Sequence, residues 1–173
     1  QGLGYLGDER AAGPLAAALS DSDTQVRRRA AAALVTTPAK TAQAALTRTA
    51  TKDKDATVRR FAVEALGWIG DASAIGPLAA ATFDKSAEVR QEAATQLGRL
   101  KSPDGLQALL ELFKDPDEDV RWAAVQAVAE MRDKRATKAL VVALDDPVAQ
   151  VSNAAERGLQ NLGIAKQRIP GMN

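Results

Sequence analysis

At 173 residues, with 23 basic and 22 acidic side chains and a net charge of +1, the chain has no overall field to draw it to nucleic acid or a membrane surface. It contains neither cysteine nor histidine, which excludes disulfides, thiolate nucleophiles, Cys/His zinc sites and histidine general bases. Only 3% of residues are aromatic against 46% hydrophobic, so the core has to be built from Ala, Leu and Val, small side chains that let helices approach closely. No apolar run is long enough to span a membrane. The absence of cysteine suits a reducing cytosol without excluding a secreted protein.

One pattern is written five times. An anchor valine recurs as Val26, Val58, Val89, Val120 and Val151, at intervals of 31 or 32 residues. Five positions earlier stand Asp21, Asp53, Asp84, Asp115 and Asp146, and four later Ala30, Ala62, Ala93, Ala124 and Ala155. Eight later stand Leu34, Leu66, Leu97, Val128 and Leu159. Arg27, Arg59, Arg90 and Arg121 directly follow the first four valines, and Ser152 follows the fifth. A fixed period of this length is the signature of a stacked repeat, each unit one supersecondary element.

In chain order, residues 1–8 (QGLGYLGD) match the helix end LGWIGD at 66–71. They read as the end of a truncated repeat, and residues 1–173 as a single solenoid domain that is a segment of a longer protein. The same residues space their glycines like a dinucleotide loop, but no strand precedes them and their match is a helix end. First helices are expected at about 11–20, 41–50, 73–82, 104–114 and 135–145, carrying Leu15, Leu46, Leu78, Leu109 and Leu140. Each second helix begins near its anchor valine, the third covering about 88–100. At 100° per residue Val89, Ala93, Gln96, Leu97 and Leu100 form one stripe, apolar with a single polar exception. The extra residue of the 32-residue interval is placed in the polar turn TKDKDAT, 51–57. Residues 165–173 form a C-terminal tail.

A helical pair of this length written as D-x4-V-R-x2-A-A-x2-A-L-G resembles the HEAT-repeat family, and looks most like the short repeats found in phycobilisome-lyase subunits. The resemblance runs from Leu3 to Gly163. It implies an all-α fold, a right-handed α-α superhelix (an armadillo-like solenoid) of about five helical pairs plus a partial N-terminal repeat. It also implies a non-catalytic scaffold for protein binding, with second helices lining a concave surface. The deoxyhypusine hydroxylase branch of the family uses paired His-Glu iron ligands, which a chain without histidine cannot supply. No cofactor, metal site or catalytic residue is expected.

An arginine in the first turn of a helix opposes the macrodipole, so a carboxylate is expected beside it. Asp21, Asp53, Asp84 and Asp115 with Arg27, Arg59, Arg90 and Arg121 therefore read as a structural ladder, which by the resemblance ties adjacent repeats. Arg28, Arg29 and Arg60 are left outside it. Opposite the apolar stripe, the positions two, six and ten after each anchor form an outward face. Both tryptophans, Trp68 and Trp122, stand there where other units carry polar residues, with Phe61 beside them. Exposed tryptophan among arginine and glutamine is the composition of a binding hot spot. The expected contact set for a protein or peptide partner is Trp68, Trp122, Phe61, Arg28, Arg60, Glu64, Gln91, Arg99 and Gln126. The alternatives are DNA binding on the basic N-terminal part of this face, or a phycobilin-lyase-like subunit. Against the first, charge alternates along the chain and falls short of the usual basic footprint of a nucleic-acid binder. End-to-end pairing of two copies through the truncated N-terminal face is a further expectation.

Overall fold

The computed structural model describes residues 9–164, with side chains from residue 11 onward. The partial repeat at 1–8 and the tail at 165–173 lie outside the described residues. Ten α-helices follow in chain order, with no strand among the described residues. They are α1 (Glu9–Ala18), α2 (Thr24–Thr36), α3 (Gln43–Lys52), α4 (Ala56–Ile69) and α5 (Ile75–Ala81). Then come α6 (Ala87–Leu100), α7 (Leu106–Glu111), α8 (Glu118–Met131), α9 (Thr137–Ala143) and α10 (Ala149–Asn161). Odd-numbered helices are the first of each pair and even-numbered the second. From the second pair onward each first helix opens through one short 3-10 turn, starting at Lys40, Ala72, Pro103 and Lys134.

Short polar side chains start the helices, because they satisfy N–H groups that have no partner inside the helix. Asp23, Asp55 and Asp117 cap α2, α4 and α8 by accepting from the N–H groups of Gln25, Val58 and Val120. Asp71 and Asp133 do the same for the 3-10 turns before α5 and α9. The stops recur too. Twelve residues after the anchor stand Gly70, Lys101, Arg132 and Gly163, all left-handed, with φ of 71°, 49°, 54° and 76°. Pro38 holds that place in the first unit. Its ring forbids a positive φ, and α2 ends at Thr36 with Thr37 as its cap.

The buried apolar residues form one continuous cluster from Leu19 to Leu159. Leu34, Leu46, Leu66, Leu78, Leu97, Leu109, Leu140 and Leu159 are all sealed, so eight of the ten helices contribute one leucine each to the seam, and Val128 holds that place on α8. The anchors Val58, Val89, Val120 and Val151 are equally sealed, but Val26 is 39% exposed. Periodicity predicts burial for all five. Val26 departs because it belongs to the outermost described pair, where no further described layer covers that end of the stripe. The extra residue of the long interval is also placed differently from expectation. Asp53 and Asp55 stand in the same relation as Asp84 and Ser86. The added residue therefore falls before Asp53, inside α3, which runs on through Thr51 and Lys52.

Second helices pack side by side along the stack (α2, α4, α6, α8, α10), whereas neighbouring first helices only graze one another. The closer spacing on the second-helix side makes that side the inside of the curve. From α4 onward, each close crossing sets the residue nine after one anchor against the residue seven after the next. The pairs are Gly67 with Gln96, Gly98 with Ala127 and Ala129 with Gly158, each containing one glycine. A Cβ on Gly98 would lie 2.5 Å from the Ala127 Cβ and 2.9 Å from its Cα.

The turns are joined by a second device. Arg27, Arg59, Arg90 and Arg121 reach forward to Asp53, Asp84, Asp115 and Asp146 of the next unit, Nε to Oδ2 at 2.7 or 2.8 Å. Their Nη2 atoms donate to the other carboxylate oxygen at 2.8–3.2 Å, making each pair bidentate. Nη1 donates backward to the carbonyl of Asp21, Asp53, Asp84 or Asp115 at 2.8–3.0 Å. Each aspartate Oδ1 also accepts the N–H two residues on, folding its own turn. One guanidinium thus clamps two turns, and one carboxylate orders a turn while receiving the previous unit. The Asp21 carboxylate receives no guanidinium among the described residues.

Three expected outcomes rest on these contacts. In an exposed helix Gly98→Ala would gain about 1 kcal/mol of propensity. Here the new methyl forces α6 from α8, and overpacking of this kind costs about 1–3 kcal/mol. Urea denaturation should therefore show the variant less stable than the parent. For the clamps, the Arg59 side chain is only 3% exposed, and removing one partner of a buried pair costs about 3–5 kcal/mol. Arg59→Ala should approach that loss, while Arg28→Ala, whose pair is open to solvent screening, should cost far less. Acid titration carries the same signature. Burial would raise the Asp84 and Asp115 carboxyls, yet the guanidinium and the turn N–H on each hold them below the ordinary value. Asp146 is lowered chiefly by Arg121, and Asp55 is lowered to about 2, chiefly by Arg28. These depressed groups contribute stability that is complete above the unfolded value of about 3.9. That contribution is lost as pH falls through the lower native values. Circular dichroism at decreasing pH should place acid unfolding below pH 4, and Arg59→Ala should move it upward.

Candidate partner-binding face

The positions two, six and ten after the anchors fall on the inner surface of the curve. The outermost row (Thr36, Trp68, Arg99, Glu130, Asn161) is exposed throughout, and the other two rows are half-buried to exposed. Trp68 on α4 is 49% exposed. Trp122 on α8 is half-buried and packs against the core from outside. The two indoles thus sit on alternate second helices, with α6 between them.

Across α4 and α6 the side chains form one connected line. The Arg60 guanidinium lies 4.4 Å from the Phe61 ring centroid and pairs with Glu64 at 3.4 Å and Glu92 at 3.7 Å. Glu92 accepts from Gln96 Nε2 at 2.7 Å, and Gln96 Oε1 accepts from Arg99 Nε at 3.0 Å. Arg99 closes the line by covering the Trp68 ring at 4.4 Å. A guanidinium over an aromatic face is attracted by the ring quadrupole, so this line holds Trp68 and Arg99 in fixed positions.

Between α6 and α8 the face opens into a groove of about 300 Å³. Gly98, Ala123 and Ala127 provide its small residues, Trp122 and Gln126 its larger side chains, and Arg99 and Glu130 its charges. The close crossing of Gly98 on Ala127 sets its width. Gln126 Oε1 is buried there and accepts no hydrogen bond from the described residues.

Of the expected contact residues, Trp68, Phe61, Arg60, Glu64 and Arg99 are brought into the line, and Trp122 and Gln126 into the groove. Gln91 is half-buried on α6 and joins neither. Arg28, expected to be free because it stands outside the ladder, is engaged instead. Both Asp55 oxygens hold it, at 3.0 and 2.6 Å. Arg60 is not free either. Two residues escape the outward-face reasoning, Glu92 and Gln96, while Glu130 stands in its outermost row but outside the expected contact set. Gln96 was visible as the polar exception in an apolar stripe, and it is buried because its amide bridges Glu92 and Arg99. Glu92 lies one position off the chosen rows. Among the described residues no group of acidic side chains is arranged to hold a metal ion, and no helix is long and apolar enough to cross a membrane.

Burial pushes the Glu92 carboxyl above its ordinary value, with Gln96 and Arg60 only partly offsetting it. A carboxylate with a raised native pKa is most favourable below its unfolded value of about 4.3, and that contribution is lost as pH rises through the native value. Glu92→Gln, which removes the charge and keeps an acceptor for Gln96, should therefore stabilise the protein at neutral pH. The gain over the parent should shrink as pH falls toward 4 in paired denaturation curves.

The sequence model of HEAT repeats matches residues 11–85 and 75–160. No curated protein matches the sequence. Among solved structures, the chain is similar to a chain of the complex of CpcE and CpcF of phycocyanin lyase from Nostoc sp. PCC7120. That match has a TM-score of 0.76 at 24% identity, over 87% of this chain and 64% of that one. It is similar to YibA of Escherichia coli, with a TM-score of 0.74 at 25% identity, over 87% of this chain and 59% of that one. The chain thus spans about 60% of the length of either. A designed armadillo repeat protein in complex with the peptide (KR)4 also shares the fold, with a TM-score of 0.71 at 21% identity, over 88% of this chain and 82% of that one. With the family pattern covering five stacked helical pairs, the chain belongs to the HEAT-repeat family and is an armadillo-like α-solenoid, a fold typical of non-catalytic, protein-binding scaffolds.

Proposed function

We propose that the inner face is a binding surface for an extended peptide or protein segment, seated across α4, α6 and α8 between Trp68 and Trp122. The observation that carries this is the α6–α8 groove, in which the Trp122 indole stands beside a buried, unanswered acceptor, Gln126 Oε1. An unsatisfied buried acceptor costs about 1–3 kcal/mol, and a backbone N–H of a bound segment would recover it. Small side chains at Gly98, Ala123 and Ala127 leave room for an apolar side chain against the indole. Large aromatic residues within such pockets carry most of the energy of typical interfaces. That a designed solenoid of the same fold holds a peptide supports the mode of binding.

Nucleic acid fits this face poorly. Arg28, Arg60 and Arg99 are engaged with Asp55, with Glu64 and Glu92, and with Trp68 and Gln96. Phosphate binding needs several cations free to replace counterions. A role as a lyase-like subunit is compatible with the likeness to the phycocyanin lyase chain, which is one of fold.

The test is to select peptides against the purified chain from a random display library, then measure the best binder by calorimetry on the parent and on variants. Trp122→Ala should weaken it by about 2 kcal/mol, the usual size of a hot spot, with Trp68→Ala also weakening it and helicity unchanged. Selected peptides whose affinity is indifferent to both changes would remove the reading.

A further inference from the structure

The turns between the helices of each pair form an edge separate from the inner face. Between the second and third turns lies a cleft of about 470 Å³ lined by Ala50, Ala80 and Ala81. Lys52, Lys54 and Lys85 stand around it, all exposed, and none of their ammonium groups makes a salt bridge or hydrogen bond in the structure. The carboxylates nearest them are committed elsewhere, Asp53 to Arg27 and Asp84 to Arg59. An adjoining cleft of about 700 Å³ shares Lys52 and Lys54 and adds the exposed Arg48. These cations make no ion pair, although Asp84 lies in the field of Lys85 and the adjoining cleft also holds the Asp21 carboxylate.

Phe83 stands at the same cleft and is 74% exposed. Aligned on the anchors, its place is held in the other units by Ser20, Lys52, Lys114 and Asp145, all exposed. The fold therefore leaves this position to solvent in every layer, and one layer alone puts an aromatic ring there. Exposing a phenyl ring gains nothing for folding, and a ring among free cations is a composition suited to contact.

The geometry points to this cleft as a docking site for an acidic segment of a partner protein. Its carboxylates would meet Lys52, Lys54 and Lys85, and an apolar side chain among them would lie against Phe83 and Ala80. The site is distinct from the inner face and does not depend on it. A peptide is favoured over a nucleic acid by what comes next along the edge. One unit on, the turn carries Asp117, Glu118 and Asp119, so a phosphodiester following the edge would run from lysines into carboxylates. A short acidic segment ends before that reversal.

The test uses a fluorescein-labelled peptide with one leucine inside a run of glutamates. Its controls are the same peptide without the leucine, one with lysines replacing the glutamates, and an oligothymidylate. Anisotropy should show the leucine-containing acidic peptide binding most tightly. The combined Lys52→Glu, Lys54→Glu and Lys85→Glu variant should lose about tenfold or more of that affinity, since rim charges steer association. Phe83→Ala should lose several-fold, and Trp122→Ala should change nothing. All four side chains are exposed, so unchanged helicity is expected and checked by circular dichroism. Equal binding by the triple variant, equal binding without the leucine, or tighter binding of oligothymidylate would each overturn the proposal. So would self-association of the parent, seen by sedimentation and abolished in the triple variant, with no binding of the acidic peptide.

Discussion

From α4 onward, each pair of successive second helices crosses where one of the two facing residues has no side chain. Gly67, Gly98 and Gly158 are these positions, and the glycine passes from one side of the crossing to the other along the stack. Helix interiors ordinarily disfavour glycine by about 1 kcal/mol relative to alanine, so its presence there reflects a distance rather than a helical preference. That distance has consequences at every larger scale. It draws the second helices together, sets the side on which the rod closes, and determines the width of the α6–α8 groove. It also brings Glu92 and Gln96 of α6 within reach of Arg60 and Trp68 neighbours on α4.

The arginine clamps solve a different problem. Thin layers of Ala, Leu and Val bury little area each, and a repeat contacts only its neighbours. A guanidinium shared between its own turn and the next aspartate adds a directional link where the apolar seam is thinnest. Because each carboxylate also receives a turn N–H, losing one rung disturbs two turns. Cooperativity between adjacent units thus has a polar component alongside the buried leucines.

Much of this was legible in the sequence. The valine period, the leucine or valine eight residues on and the Asp–Arg spacing specify a two-helix layer, and the outward rows place Trp68 and Trp122 on one surface. What the sequence does not reveal is which neighbour each outward side chain meets. Helical angles locate a residue on its own helix, while Arg28 on Asp55 and Arg60 on Glu92 depend on the register between units. The same limit explains Trp122, which is half-buried at a position whose equivalents differ in exposure. Phe83 is a different case. Its place six residues before the anchor aligns with serine, lysine and aspartate, so comparing turn positions as well as helix positions would have found it. The added residue in α3 was invisible because a longer helix and a longer turn look alike in spacing.

The contrast between interlocked second helices and loosely touching first helices has a mechanical side. Bending such a rod leaves the spacing of the interlocked row nearly fixed and is taken up by opening or closing gaps on the far side. In such bending the row carrying the two indoles would act as a neutral line, with the separation of Trp68 and Trp122 nearly unchanged. A segment gripped at both rings would therefore meet a ruler of set length on an elastic backing.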